Sequence, residues 1–198
     1  SGEQAVLMAA CGQMSQFYNL PSGIAAGMTD SKIPDAQSGY EKGYTVALAG
    51  HSGANLIYES AGMHASLLGC CLESYVIDND MLGAINRTVR GIEVNAETLS
   101  LDPIRDVCLD GPGHYLGHEQ TLNRMQSDYL YPIVGDRENI NNWIEQGSTD
   151  SIQRAHLKLK EILKTHFPNN WDEDTDSKIR EQFPIRLPRN RMQPLDIS

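Results

Sequence analysis

Two stretches decide the fold: Ser22-Gly23-Ile24-Ala25-Ala26-Gly27-Met28-Thr29-Asp30-Ser31-Lys32-Ile33-Pro34, and then Ala54-Asn55-Leu56-Ile57-Tyr58-Glu59. The run from Ser22 to Gly27 is short, uncharged and dominated by apolar residues. That is the pattern of a strand covered on both faces, as in a parallel sheet. Met28 to Ile33 is a polar loop, and Pro34 stands where the next helix is expected to start, a position proline tolerates. Tyr40, Tyr44, Ala47 and Leu48 recur at helical spacing and predict the buried face of that helix, which Gly50 to Gly53 end. Ala54 to Tyr58 reads as a second strand ending at Glu59. Strand, helix, strand in this order means parallel strands joined by a crossover, hence an α/β architecture.

Working outward, Leu7, Ala10, Cys11, Met14, Phe17 and Tyr18 predict a preceding helix with one buried face. Ser1 is its expected N-cap, and Asn19-Leu20-Pro21 is its expected stop. The chain opens on Ser1 and is already helical by Val6, so it is expected to be part of a longer protein. Leu72, Tyr75, Val76, Leu82, Ile85, Val89 and Ile92 predict one long helix with Gly91 near its end. Further helices are expected over 95–107, 136–146 and 150–166. The last of these carries the stripe Ile152, Ala155, Leu159, Ile162 and Leu163. From residue 167 the chain is polar and dotted with Pro168, Pro184, Pro188 and Pro194, which predicts an extended tail. The acidic run Asp172 to Asp176 within it reads as a solvated stretch.

A length of 198 residues suits one domain. Sixteen Lys and Arg against 26 Asp and Glu give a net charge of −10. That balance argues against nucleic acid or an anionic membrane surface as a partner, because either needs a basic face. No apolar run approaches the ~20 residues of a membrane span. Cys11, Cys70, Cys71 and Cys108 form no CxxC pair and read as reduced thiols of a cytoplasmic protein.

In parallel α/β folds the chemistry sits at the carboxyl ends of strands. The first such tip offers Thr29, Asp30, Ser31 and Lys32; the second offers Tyr58, Glu59, Ser60, Gly62, Met63 and His64. On one shared rim, the carboxylates of Asp30 and Glu59 and the ring of Tyr58 suit a cation. The aromatic face adds ~0.5–2 kcal/mol of attraction. Gly111-Pro112-Gly113-His114-Tyr115-Leu116-Gly117-His118 is the other conspicuous segment. Its histidines admit three readings: a structural pair, a cofactor-facing loop, or the start of a metal site. The zincin order is absent, since Leu122 stands where its second histidine belongs. No GxGxxG follows a strand, and no GxSxG elbow is present.

Taken together, Gly27-Met-Thr-Asp-Ser-Lys-Ile-Pro-Asp-Ala-Gln37, Gly39-Tyr-Glu41, Gly53-Ala-Asn-Leu-Ile57, Ala61-Gly-Met63 and Gly111 to His118 with Thr121-Leu122 resemble the trimethylamine methyltransferase family. The likeness runs from Ser1 to about Arg191 and corresponds to the C-terminal part of such an enzyme. It implies a (β/α)8 barrel, with residues 1–110 as a partial barrel, 111–166 as the Gly-rich loop and C-terminal helices, and 167–198 as the tail. It also implies methyl transfer from a methylated amine to the Co(I) of a corrinoid protein. Some members carry pyrrolysine and use trimethylamine; others act on quaternary amines such as glycine betaine. The twenty ordinary residues here favour the quaternary branch.

On this resemblance Asp30, Tyr58 and Glu59 are expected to bind substrate, and Lys32, Met63, His64 and His114 to face the corrinoid, with no catalytic acid or base required. A cobalamin-binding DxHxxG is missing, because Pro112 replaces its aspartate before His114-x-x-Gly117. The corrinoid is therefore expected on a partner protein. The alternative is a non-catalytic barrel fragment or binding module that self-associates through its open sheet edges.

Overall fold

A computed structural model describes residues 2–109, 111–166 and 171–189. The chain forms α1 (Gly2–Phe17), β1 (Gly23–Ala25), α2 (Ala36–His51), β2 (Leu56–Tyr58), β3 (Met63–His64) and β4 (Gly69–Cys70). It continues with α3 (Leu72–Arg90), α4 (Leu101–Cys108), α5 (Glu119–Ser127), α6 (Ile140–Glu145), α7 (Ser151–Thr165) and α8 (Glu173–Gln182). The architecture is helix-rich α/β. Strands β1 and β2 pair in parallel, with Gly23 opposite Leu56 and Ala25 opposite Tyr58, and α2 is the crossover between them. None of the described helices is long and apolar enough to cross a membrane.

Ile24, Ala26, Val46, Ala49 and Ile85 form the main core, where the parallel strands meet α2 and α3. A second cluster, Val76, Val134 and Ala155, joins α3 to α7. The link is reinforced by Asp80, whose carboxylate accepts the backbone N–H groups of Ile133, Val134 and Gly135 at 2.7, 2.7 and 2.8 Å.

Helix α2 starts slightly later than expected. Pro34 precedes the cap, and Asp35 is the N-cap, its carboxylate accepting from the Ser38 N–H while the Ser38 hydroxyl accepts from the Asp35 N–H. The buried face of α2 also differs from the expected one. Tyr40 and Leu48 are exposed, whereas Ser38, Glu41, Lys42, Thr45, Val46 and Ala49 are buried. These residues follow the same helical period on the nearly opposite side. Hydrophobicity alone points away from that side because four of its six members are polar.

Helix α1 shows a related inversion. Ala5 and Gly12 are buried, while Leu7, Met14, Phe17 and Tyr18 stand exposed. Small residues form its contact face because α1 lies close against the end of α2: a Cβ on Gly12 would come within 2.2 Å of Ser52 Oγ. Ser1, its expected cap, lies outside the described residues.

The long helix α3 ends at Gly91 as expected, with φ +69°. Reciprocal bonds between Asn95 and Thr98 build a turn, and α4 itself begins only at Leu101. Expected 136–146 shortens to α6, whereas α7 matches its expected span and carries an Asp150–Gln153 capping box. Helix α5 and the small antiparallel β3–β4 ladder are unheralded in the sequence pattern. The expectation of an extended tail is corrected over Glu173–Gln182. There Asp172 caps α8, and Glu173, Asp174 and Asp176 in the first turn complement the helix dipole. Pro168 and Pro194 lie outside the described residues.

Candidate functional site

The two strand tips are neighbours, as parallel pairing requires. Gly27 has φ +96°, and a Cβ there would sit 2.6 Å from Ser60 Cα, so glycine lets the first tip pass directly against the second. The Gly27 N–H donates to Thr45 Oγ1 at 3.1 Å. Beyond it, Thr29 and Ser31 are buried and Asp30 between them is exposed.

Glu41 of α2 governs this tip. Its Oε2 accepts the Thr29 hydroxyl at 2.5 Å and the Asp30 N–H at 2.8 Å, and its Oε1 accepts from Gln37 Nε2 at 3.3 Å. Burial pushes the Glu41 carboxyl up, but the Thr29 hydroxyl, the Asp30 amide and Gln37 outweigh it and hold the group below the usual range. Glu41 is therefore ionised at neutral pH despite being 4% exposed.

The second tip has its own buried carboxylate. Asp78 Oδ2 accepts the Gly62 N–H at 2.7 Å and pairs with Lys42 Nζ at 2.7 Å, both side chains being almost wholly buried. His64 lies beside them. Its Nδ1 is 3.2 Å from the Ser31 carbonyl and its Nε2 is 2.6 Å from Ser74 Oγ. The carbonyl only accepts, so Nδ1 carries the proton and Nε2 accepts from the serine. Burial, then the Lys42 charge, pushes the His64 imidazole below its ordinary range.

Ala65, Ser66 and Leu67 close the rim with φ of +51°, +54° and +71°. Three successive non-glycine residues in the left-handed region cost about 1–2 kcal/mol each. Such strain persists where surrounding contacts fix it, and it clusters at functional sites. The contacts here are specific: Ala65 N–H donates to Ser31 O, Ser66 N–H donates to Thr29 O, and the Ser66 hydroxyl donates to Asp30 Oδ1. A cavity of about 170 Å³ opens beside them, lined by Gln4, Met28, Thr29, Asp30, Ser66 and Leu67.

Of the expected site residues, Asp30 alone lines this cavity. Lys32 is exposed next to it and donates to the Asp30 carbonyl at 2.8 Å. Glu59 is exposed on the second tip with φ +62°. The Tyr58 ring leans back along β1: a Cβ on Gly23 would lie 3.3 Å from its edge, so the ring points away from the Asp30 end. Met63 is half-buried in β3.

His64 does not face outward as expected. It is 2% exposed with both ring nitrogens engaged, because it ties the first tip to α3. His114 is exposed, but the hydrogen bonds of its segment run to α4 and the 93–100 turn: Gly113 N–H to Val107 O, Tyr115 hydroxyl with Cys108 Sγ, and Gln120 to Glu97 O. His118 Nδ1 accepts from the Gln120 N–H and caps α5. Among the described residues, none of these bonds reaches the rim.

The residues that sequence reasoning passed over are Glu41, Lys42, Ser74 and Asp78. For Glu41 and Lys42 the signal was the polar helical register of Ser38, Glu41, Lys42 and Thr45 on α2.

With this geometry in place, the comparison with known proteins is direct. The family model described as trimethylamine methyltransferase (MTTB) matches residues 1–188. The chain belongs to that family. It is 38% identical over 175 residues to the trimethylamine methyltransferase MttB of Methanosarcina thermophila, covering 88% of this chain and 35% of that protein. It is 35% identical over 180 residues to the MttB of Desulfitobacterium hafniense strain DCB-2, covering 91% and 36%. The glycine betaine methyltransferase of D. hafniense strain Y51 is 29% identical over 181 residues, covering 91% and 37%. The chain thus spans little more than a third of the length of these relatives. Both rim tips fall inside the span matched by the family model.

Proposed function

We propose that this chain supplies part of the active site of a methyltransferase that moves a methyl group from a methylated amine, in particular a quaternary amine such as glycine betaine, to a corrinoid protein. The observation that carries the reading is the pinned first tip within the family match, with Asp30 exposed at a small cavity beside a strained turn. The β1–α2–β2 unit is read as part of a (β/α)8 barrel completed by further strand–helix units.

The chemistry asks little acid–base work of the protein. A quaternary ammonium has no proton to lose or donate, and its positive charge already activates the methyl group. When the N–CH₃ bond breaks, the electron pair stays on nitrogen and the amine leaves neutral. The corrinoid, carried by a partner, supplies Co(I) as the methyl acceptor. This chain's own residues bind and orient. Asp30 supplies opposite charge, with Glu41 ionised beneath it, and Met28 and Leu67 offer apolar surface to methyl groups. Fixing the methyl in line is a proximity effect. Lys32 and Met63 are read as facing the partner, with Glu59 and Tyr58 on the second tip.

The test uses the complete gene product containing residues 1–198, mixed with a Co(I) corrinoid protein and a panel of methylated amines, with the corrinoid spectrum as readout. Methylation with glycine betaine or a related quaternary amine is expected, and residues 1–198 alone are expected to be inactive. No methylation with any amine overturns the reading. Methylation by trimethylamine alone overturns the quaternary preference. Unchanged kinetics in Tyr58→Leu and Glu59→Gln remove those two residues from the site.

A second reading rests on Val6, Leu7, Met14 and Phe17 on α1 and Tyr18 just after it, all exposed. A non-catalytic module that self-associates through this apolar surface accounts for them. It predicts a concentration-dependent oligomer with no methyl transfer.

A further inference from the structure

We infer that Glu41 is a positioning residue that fixes Asp30 at the cavity mouth for a cationic methylated amine, an inference that rests on the proposed amine-binding role of this rim. Glu41 is 4% exposed, and burying a carboxylate is costly unless donors surround it. Two of its donors come from the first tip, the hydroxyl of Thr29 and the N–H of Asp30 itself, both on Oε2, while Gln37 of its own helix donates to Oε1. The backbone of Asp30 is therefore held from below.

Its carboxylate is held from the side. Ser66 donates to Oδ1, and Ser66 is itself anchored through its N–H to the Thr29 carbonyl, on the left-handed turn 65–67. An exposed aspartate with no ligand to meet gains little from being immobilised at backbone and side chain together, since ordering a side chain carries an entropic cost. Immobilisation is useful when a ligand must find the group already in place, because pre-organisation removes that cost from binding. The ligand indicated is a cation: the Asp30 carboxylate stands at the cavity, and the buried Glu41 carboxylate lies behind its backbone, two acidic groups against the one ammonium of Lys32 on the Asp30 carbonyl, with Met28 and Leu67 as apolar walls. Asp78 offers the contrast. It grips the second tip through Gly62 but is neutralised by Lys42, so it holds shape without adding net charge.

A double-mutant cycle in the complete gene product separates positioning from plain stability. Glu41→Gln keeps the volume, removes the charge and leaves a single acceptor oxygen where two carboxylate oxygens now serve three donors. Glu41→Gln and Asp30→Asn are each expected to raise KM for the amine roughly tenfold with kcat within about twofold. The double variant is expected to be no more than about twofold worse than Asp30→Asn alone, because Glu41 acts through Asp30. Additive losses in the double variant, or an unchanged KM in Glu41→Gln, overturn the inference. If Glu41→Gln does not fold, Thr29→Val, which deletes one donor and keeps the charge, enters the same cycle with the same expectations.

Amide hydrogen exchange across residues 28–33 is measured on the same preparations. Faster exchange at Asp30 in Glu41→Gln supports the grip, and unchanged exchange refutes it even if turnover is lacking. A wild-type protein that methylates no corrinoid with any amine sinks the reaction assigned to the site, a failure distinct from either of these.

Discussion

Replacing Asp78 with asparagine tests the polar interior most directly. The Lys42 and Asp78 side chains are 1% and 6% exposed and meet at 2.7 Å. Asparagine keeps the shape and still accepts the Gly62 N–H, but it leaves the Lys42 ammonium buried without its counter-charge. Breaking a buried pair by removing one partner costs about 3–5 kcal/mol. For a chain of this size ~1 kcal/mol moves the melting temperature by about 2–4 °C, so a fall of roughly 6–20 °C is expected. Replacing both, Lys42→Met with Asp78→Asn, removes the two buried charges and keeps an acceptor for the Gly62 N–H. The double variant is expected to regain more than half of that loss, since no uncompensated charge is left buried. Thermal and urea unfolding followed by circular dichroism give both numbers. An Asp78→Asn loss below about 1 kcal/mol, in the range of solvent-exposed pairs, refutes the claim that this pair is desolvated. A double variant as unstable as the sum of the singles refutes the claim that the two charges answer each other.

Three further outcomes are expected from named contacts. Gly27→Ala places a Cβ 2.6 Å from Ser60 Cα at φ +96°, so it is expected to destabilise by more than about 1 kcal/mol and to part the two tips, seen as faster amide exchange at residues 27–31. Ile85→Ala, in the main core, is expected to cost about 2–5 kcal/mol in chemical denaturation. The His64 imidazole is held below its ordinary 6.5 in the folded chain, so between the folded value and 6.5 the unfolded chain binds the extra proton. His64 therefore contributes stability that is complete above pH 6.5 and is lost as the pH falls toward its folded value. His64→Gln is expected to flatten stability against pH across that window, and an unaltered slope would falsify the assignment.

The strand–helix–strand unit was legible because short apolar runs, helical spacing between them and a proline near the helix start are local signals. The face of α2 was not, because its contact side is built from Ser38, Glu41, Lys42 and Thr45, and polarity there reports on hydrogen-bond partners far away in sequence. The same physics hid His64: nothing local shows that Ser31 and Ser74 will occupy both its nitrogens. Asp30 could be placed because a loop after a strand fixes which end it occupies. The direction of the Tyr58 ring could not, since the lean of a strand side chain depends on the bare Gly23 beside it. Helix α5 was obscured by Gly113 and Gly117, which disfavour helix before His118 and carry no information about residues 119–127. The acidic run 172–176 read as mere solvation, yet at a helix start the same charges favour order.

Asp80 carries one more implication. Its single carboxylate collects three consecutive amides of residues 133–135, and next to it α3 and α7 meet through the Val76–Val134–Ala155 cluster, with Ile77 and Leu159 packed on it, and through Glu73 and His156 at 2.8 Å. Residues 133–165 are thus held to the earlier part through one face of α3, while Arg87 and Arg90 at its end hold the 127–128 carbonyls separately. Under limited proteolysis or a slow temperature ramp, residues 133–165 should peel away as a unit while the paired strands stay closed, giving unfolding in two stages.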